Sequence, residues 1–259
     1  METAVPEGTL LAVRVPKSPR IHSTQDGRRL RRVGRECRAV LPGDDVVLEV
    51  EKGGDFTAKL LYGVGMESVD PLEIHRLRNW IRRYRPGADL LDLNDLDLLK
   101  ALHLLIDGPQ GPSPTVACVL LVGKESSLAD RLPQNEIRYA VFGNDETRPI
   151  QDVSLRRPLL ATIDRLLELI QPYNRVITIR DGLLELPIPS FPDEVVREGL
   201  LNAVIHRSYV EPEGVNVRLY TERLEIGSPG GFIGGITPGN ILTHEPRRRN
   251  PLLAETLQH

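Results

Sequence analysis

Cysteine is nearly missing from this chain: only Cys37 and Cys118 occur, far apart and in no metal-ligand spacing. That excludes a disulfide framework, argues against a zinc site, and makes a reducing cytoplasm the expected compartment. Long apolar runs are missing as well. The longest, Val116 to Val122, falls far short of the roughly 20 residues that cross a bilayer, and Glu2 follows Met1 where a secretory leader carries basic residues. Neither export nor a membrane partner is expected. No Ser-His-Asp order, no Gly-x-x-x-x-Gly-Lys-Ser/Thr loop and no His-Glu-x-x-His is present. Gly123-Lys124 lacks both the preceding glycine and the following hydroxyl residue. There is no internal repeat and no low-complexity segment.

Charge of one sign does not dominate either, since 33 Lys and Arg stand against 36 Asp and Glu for a net −3. Its distribution is uneven. From Met1 to Val40 nine basic residues meet four acids, so a basic amino-terminal segment is followed by an acidic remainder. No aromatic residues interleave with this cluster, which removes the stacking platform that single-stranded nucleic acid needs. The 259 residues suffice for two or three packing units. With 22 Gly and 21 Pro, about 17% of the chain and above the usual share, many short connections are expected.

Periodicity places the elements. Gly8 to Val15 reads as a strand stopped by Pro16 and Pro19, with Asp26-Gly27 as the turn of a hairpin that returns through Arg29 to Val33. Asp70-Pro71 opens a helix to Tyr84 with Leu72, His75, Leu77, Trp80 and Ile81 on one face. A second helix is expected from Asn94 to Leu105. Thr115 to Val122 reads as a buried strand, followed by a strand from Glu136 to Phe142 and a helix from Leu159 to Ile170. Ser190 is the expected cap of a helix from Asp193 to Arg207, and Val215 to Tyr220 with Arg223 to Ile226 form a hairpin ending in the glycine-rich stretch Ser228 to Gly235. The alternation predicts an α/β (α+β) chain of mixed sheets packed with helices.

Chemistry concentrates on one helix. Glu198, Asn202 and His206 stand at i, i+4 and i+8, within a stripe about 80° wide at 100° per residue, while Val196, Leu200, Leu201, Ala203 and Val204 cover the far side and Val195 and Ile205 border it. Buried polar groups must satisfy one another or face a polar cleft. The stripe therefore marks either a ligand site or simply the wet side of a helix.

The run Arg197 to Arg207, with Glu198 four residues before Asn202-Ala203, resembles the N-box helix of GHKL ATPases. Phe191 to Tyr209, Leu224 to Gly231 and Arg249 to Ala254 together resemble the ATP-binding-like domain of RecG-helicase-related transcriptional regulators of bacteria. The resemblance implies ATP and Mg²⁺ as ligands of a GHKL-like α/β sandwich: Asn202 on the metal, His206 beside base or ribose, Pro229, Gly230, Gly231 and Asn250 around the nucleotide, and Glu198 polarising water if hydrolysis occurs. The Asp-x-Gly-x-Gly aspartate of GHKL proteins has no counterpart in Ser228-Pro229-Gly230-Gly231, and a second glycine box would lie beyond His259. Despite the family label, no helicase motif is present.

Val13 to Arg20, Asp26-Gly27-Arg28 and Leu30 to Gly34 resemble the closing part of the AlbA-like, Schlafen-related DNA-binding domain of the same regulators, whose earlier half would precede Met1. It implies DNA as partner, with Arg28, Arg29, Arg31 and Arg32 on phosphates. The expected organisation is 1-45 for this segment, 46-180 for an α/β middle region and 181-259 for the GHKL-like domain. Arg247-Arg248-Arg249 suits a phosphate, a DNA backbone or a solvated loop. The expected function is a DNA-binding regulator that senses a nucleotide. The alternatives are a slow Mg²⁺-dependent ATPase, and a degenerate fold that serves homo-oligomerisation alone. In each case Glu198, Asn202 and His206 are expected to look into one hollow roofed by the Ser228 to Gly231 bend.

Overall fold

Short strands pair with their sequence neighbours in the amino-terminal unit, Met1–Gly54, one of two units into which the chain divides. Strand β1 (Glu2–Val5) pairs antiparallel with β2 (Gly8–Leu11), β3 (Leu30–Val33) pairs with β4 (Glu36–Ala39), and helix α1 (Asp44–Glu51) follows. The computed structural model describes residues 2–5, 8–11, 13, 21–33, 35–41, 44–108, 111–181, 184–233 and 236–258. Pro16, Pro19 and Gly34 lie outside these. The Asp26-Gly27 turn forms, with Gly27 at φ +79° donating its N–H to the Thr24 carbonyl at 2.9 Å. It does not return Leu30–Val33 onto Gly8–Leu11, however. Each strand takes the partner closed by the shorter loop, which costs less entropy.

The second unit, Asp55–His259, begins with α2 (Pro71–Tyr84), α3 (Asp95–Ala101), the hairpin β5 (Leu105–Gly108) and β6 (Gly111–Pro114), α4 (Val116–Val122) and α5 (Glu125–Arg131). Helix α2 starts as expected, with the Asp70 carboxylate accepting from Leu72 N at 2.9 Å ahead of Pro71. Its buried face is Ile74, Leu77 and Ile81, whereas Leu72 is 76% exposed and His75 is also exposed. Helix α3 is capped by Asn94, which accepts from Asp97 N at 3.0 Å. It stops at Ala101 rather than Leu105, because His103 at φ +56° turns the chain into β5.

The expected strand over Thr115 to Val122 is a helix, α4, whose seven residues are all buried. A short all-apolar run carries no periodicity, so strand and buried helix read alike. The Thr115 hydroxyl decides it locally by accepting from Cys118 N at 3.2 Å. Packed against α2, α5 and α6, α4 forms the centre of the core, with each Val or Leu buried there worth about 1.5–3 kcal/mol.

The remaining elements are β7 (Ile137–Phe142), β8 (Pro149–Leu155), α6 (Leu159–Ile170), β9 (Val176–Asp181), β10 (Leu184–Pro189), α7 (Asp193–His206), β11 (Val215–Leu219), β12 (Leu224–Gly227) and α8 (Pro251–Leu257). Four strands make one sheet in the order β12-β11-β7-β8, with β11 parallel to β7 and the outer pairs antiparallel. Val215, Val217 and Leu219 alternate with the exposed Asn216 and Arg218. The apolar face thus enters the same core cluster as α6 and α7, and the other face is polar. The expected mixed α/β class is what is found. Among the described residues no helix is long and apolar enough to cross a membrane.

Candidate functional site

Entry into α7 is set by Asn174. Its amide donates to the Phe191 carbonyl at 2.6 Å while its oxygen accepts from Phe191 N at 2.9 Å. Ser190, the expected cap, does not serve: Pro192 occupies that position with no side-chain hydrogen bond, and Asp193 and Glu194 in the first turn complement the helix dipole instead. Gly199 lets the helix lie close on the sheet, since a Cβ there would meet Ile226 Cδ1 at 2.9 Å.

Along α7, Val196, Leu200, Leu201, Ala203, Val204 and Ile205 are buried, while Glu198, Asn202 and His206 are exposed on the opposite side. Val195, expected to border the stripe as an apolar flank, is 66% exposed. Asn202 Nδ2 donates to Glu198 Oε1 at 3.0 Å, and Asn202 Oδ1 accepts from Gln258 Nε2 at 3.2 Å, so the end of the α8 segment sits over the middle of the stripe.

Among the described residues, His206 and Glu198 line separate hollows rather than one. His206 lines a hollow of about 460 Å³ with Ser228, Gly230 and Gly231 of the bend, apolar walls from Phe232, Ile233 and Ile241, and a cationic rim of Arg247 and Arg249. Glu198 lines another of about 500 Å³ with Glu194, Arg197, Trp80 and Tyr84. They are held apart because Glu198 and His206 stand about two turns apart along α7 and the bend meets its carboxyl end, where Ser208 N donates to the Pro229 carbonyl at 2.8 Å.

That end is heavily tied. Asn250 is buried, and its Nδ2 donates to the carbonyls of Ile205 at 2.8 Å and Arg207 at 2.9 Å, satisfying groups that a helix terminus leaves open. Arg249 donates from Nε to the His206 carbonyl at 3.1 Å and from Nη2 to the Gly231 carbonyl at 2.6 Å, joining helix and bend. Gly230 turns at φ +106°, and a Cβ there would meet Ser208 Cβ at 3.0 Å. Pro229 serves through its backbone carbonyl. The His206 imidazole, exposed along α7 but partly covered where it lines the hollow, is held below its ordinary range, first by that partial loss of water and then by the positive charges of Arg248 and Arg249.

Sequence reading missed Arg207. Its fully buried guanidinium donates from Nη2 to the carbonyls of Gln134 at 2.8 Å and Glu213 at 2.7 Å and lies 4.6 Å from the centre of the Tyr209 ring. Among the described residues, Nε and Nη1 of Arg207 and the Tyr209 hydroxyl have no partner. Burial depresses the arginine and raises the tyrosine. The Phe232 and Ile241 walls were also missed; both are exposed large apolar residues, whose only signal in the sequence is their place beside glycines and prolines.

In the first unit, Arg28 pairs with Asp26 and Arg29 with Asp45. Arg31 and Arg32 stand on β3, opposite Arg38 and Cys37.

Comparison with known proteins adds to this geometry. Residues 213–259 match the family described as "Putative ATP-dependent DNA helicase recG C-terminal". Residues 47–138 match a family described as a domain of unknown function (DUF8451). No curated protein matches the chain. Among solved structures, the DIP2311 protein of Corynebacterium diphtheriae aligns with a TM-score of 0.63 at 23% identity, over 99% of this chain and 50% of its own. The chain thus spans half the length of that protein, and the likeness is one of fold. Residues 213–259 are thus similar to a RecG-related, ATPase-like family, and α7 lies ahead of the matched span.

Proposed function

We propose that this chain belongs to a DNA-binding transcriptional regulator whose carboxyl-terminal region binds a nucleotide and acts as its sensor. The observation that carries this reading is the hollow of about 460 Å³ beside His206, which joins apolar walls to an arginine rim. Phe232, Ile233 and Ile241 suit a flat base. Arg247 suits its phosphates, because a guanidinium recognises phosphate through paired donors. His206, at the end of α7, faces the same space.

Glu198 and Asn202 fit a magnesium ion chemically. They offer a carboxylate and an amide oxygen, and Mg²⁺ takes one or two protein carboxylates, completing its shell with phosphates and water. To neutralise the phosphates, such an ion requires them to extend along α7 from the hollow beside His206 toward the separate hollow that Glu198 lines. Among the described residues no group of three or more His, Cys, Asp or Glu is arranged to hold a metal. The Asn202 oxygen now accepts from Gln258. A metal there therefore competes with the end of α8, and this competition is the sensing step in our reading.

The DNA half rests on the first unit, where Arg31 and Arg38 face each other across β3 and β4. Arg28, Arg29 and Arg32 extend the same segment, and since Arg28, Arg29 and Arg38 are paired with Asp26, Asp45 and Glu36 on the exposed surface, a phosphate backbone would bind by displacing these carboxylates.

The test is a thermal-shift titration with Mg-ATP and Mg-GTP. Binding to the folded state raises the melting temperature through linkage, and Arg247→Glu diminishes the rise. No shift with either nucleotide at millimolar concentration defeats the sensor.

A further inference from the structure

We propose that the open edge of β9 pairs antiparallel with β9 of a second copy of this chain, about a two-fold axis at Thr178. Strands β9 and β10 form a sheet of their own, and two strands alone are marginal in water. Consecutive residues Val176 and Ile177 are 61% and 60% exposed. Both faces of β9 are therefore uncovered at that end.

The two edges of the hairpin differ. Ser190 N donates to the Arg175 carbonyl at 2.7 Å, which marks Arg175 and Ser190 as a hydrogen-bonded pair. Pairs alternate along an antiparallel ladder. In the observed register, Ile177 with Ile188 is then bonded, while Val176 with Pro189 and Thr178 with Pro187 turn their backbone groups outward. The outer edge of β10 thus carries two prolines, which have no N–H to give, and is closed to a further strand. The outer edge of β9 presents the backbone of Val176, Thr178 and Arg180, with no proline.

Charge selects the occupant and the register. Self-pairing must set outward-facing residues opposite one another, so the axis passes through a residue rather than between two. An axis at Thr178 overlaps the whole of β9, setting Arg175 opposite Asp181 of the second copy, twice, with Ile177 opposite Ile179 between them. An axis at Ile179 instead sets Asp181 opposite isoleucine. Opposite charges directly across a ladder stabilise it. The Arg175 side chain is 70% exposed and its ion pair with the exposed Glu222 is long, at 3.9 Å, so the inter-copy pair would replace a weak surface contact. The two-fold, isologous contact is closed and makes a dimer, not a fibre.

Sedimentation velocity across a concentration series tests this. A reversible dimer is expected, and a monomer throughout the micromolar to millimolar range overturns it. Arg175→Asp should weaken the dimer about tenfold or more, because two attractive pairs become repulsive, and Arg175→Asp combined with Asp181→Arg should restore it. Thr178→Pro removes only an outward N–H and should give a folded monomer, with the melting temperature reporting folding. In the parent dimer, the amides of Val176, Thr178 and Arg180 should exchange slowly. A dimer indifferent to Thr178→Pro, or a charge swap that restores nothing, overturns the pairing.

Discussion

Asn250 donates through one nitrogen to both Ile205 and Arg207, 45 and 43 residues earlier in the chain, and so closes the carboxyl end of α7. The adjacent Arg249 donates to the His206 carbonyl between those two and to the Gly231 carbonyl. Helix end, glycine-rich bend and α8 are therefore fastened at one point, and the hollow beside His206 depends on that fastening.

Removing the amide should be costly. Asn250→Ala leaves two helix-terminal carbonyls without their donor at a site 1% exposed, and such a loss costs about 1–3 kcal/mol. For a unit of this size that is a fall of about 2–4 °C in melting temperature per kcal/mol. Asn250→Asp should be worse, as it sets a carboxylate against carbonyl oxygens. A urea midpoint unchanged in Asn250→Ala would show that the fastening carries no stability.

Gly230 offers a second check on the same point. At φ +106°, with Ser208 Cβ and Arg249 Nη2 at 3.0 and 3.2 Å from any added methyl, Gly230→Ala is strained in both backbone and packing. A loss of about 1 kcal/mol or more is expected, together with a weaker response to Mg-ATP because the bend forms one wall of the hollow. Gly231→Ala has open space around it and is the control: equal effects of the two substitutions would refute the turn.

What could be read in the sequence divides along physical lines. Helices α2, α6 and α7 and strands β7, β11 and β12 announce themselves because each has one wet side, so 3.6 or 2 periodicity survives. Helix α4 does not, being buried on every side. The partners of β2 and β3 were not legible either, as pairing is a matter of loop closure rather than pattern. At the site, the spacing of Glu198, Asn202 and His206 gave the stripe, but not that Gln258 covers its middle or that the bend meets only His206. Those facts depend on where α8 and the Ser228 loop land, and a single helix does not encode them. Arg207 was invisible because nothing local distinguishes a buried arginine from an exposed one.

The two thiols should behave oppositely. Cys118 is fully buried in α4, and desolvation pushes its thiol up to about 12, whereas Cys37 is exposed on β4. The thiolate is the reactive form. A colorimetric disulfide reagent should therefore titrate one cysteine in the native protein and both in denaturant, and Cys37→Ser should abolish the native reaction. Rapid native modification of both would mean that the α4 core opens.

His206 supplies a pH signature with a definite sign. Its folded value lies below the ordinary 6.5, through partial burial and the nearby Arg248 and Arg249. The unfolded chain therefore takes up the proton first. Stability is full above the ordinary value, falls as pH drops from there toward the folded value, and levels off once the native imidazole is protonated too. Melting temperature should fall in that window, and His206→Gln should flatten this part of the profile. Phosphates bound beside the ring act in the opposite direction, raising its affinity for a proton, so nucleotide binding at about pH 6 should be accompanied by proton uptake. Calorimetry in buffers of differing ionisation enthalpy reads this directly: the apparent binding enthalpy should change with buffer in the parent and not in His206→Gln. A nucleotide that binds with the same enthalpy in every buffer would place its phosphates away from the end of α7, leaving the arginine rim without the role proposed for it.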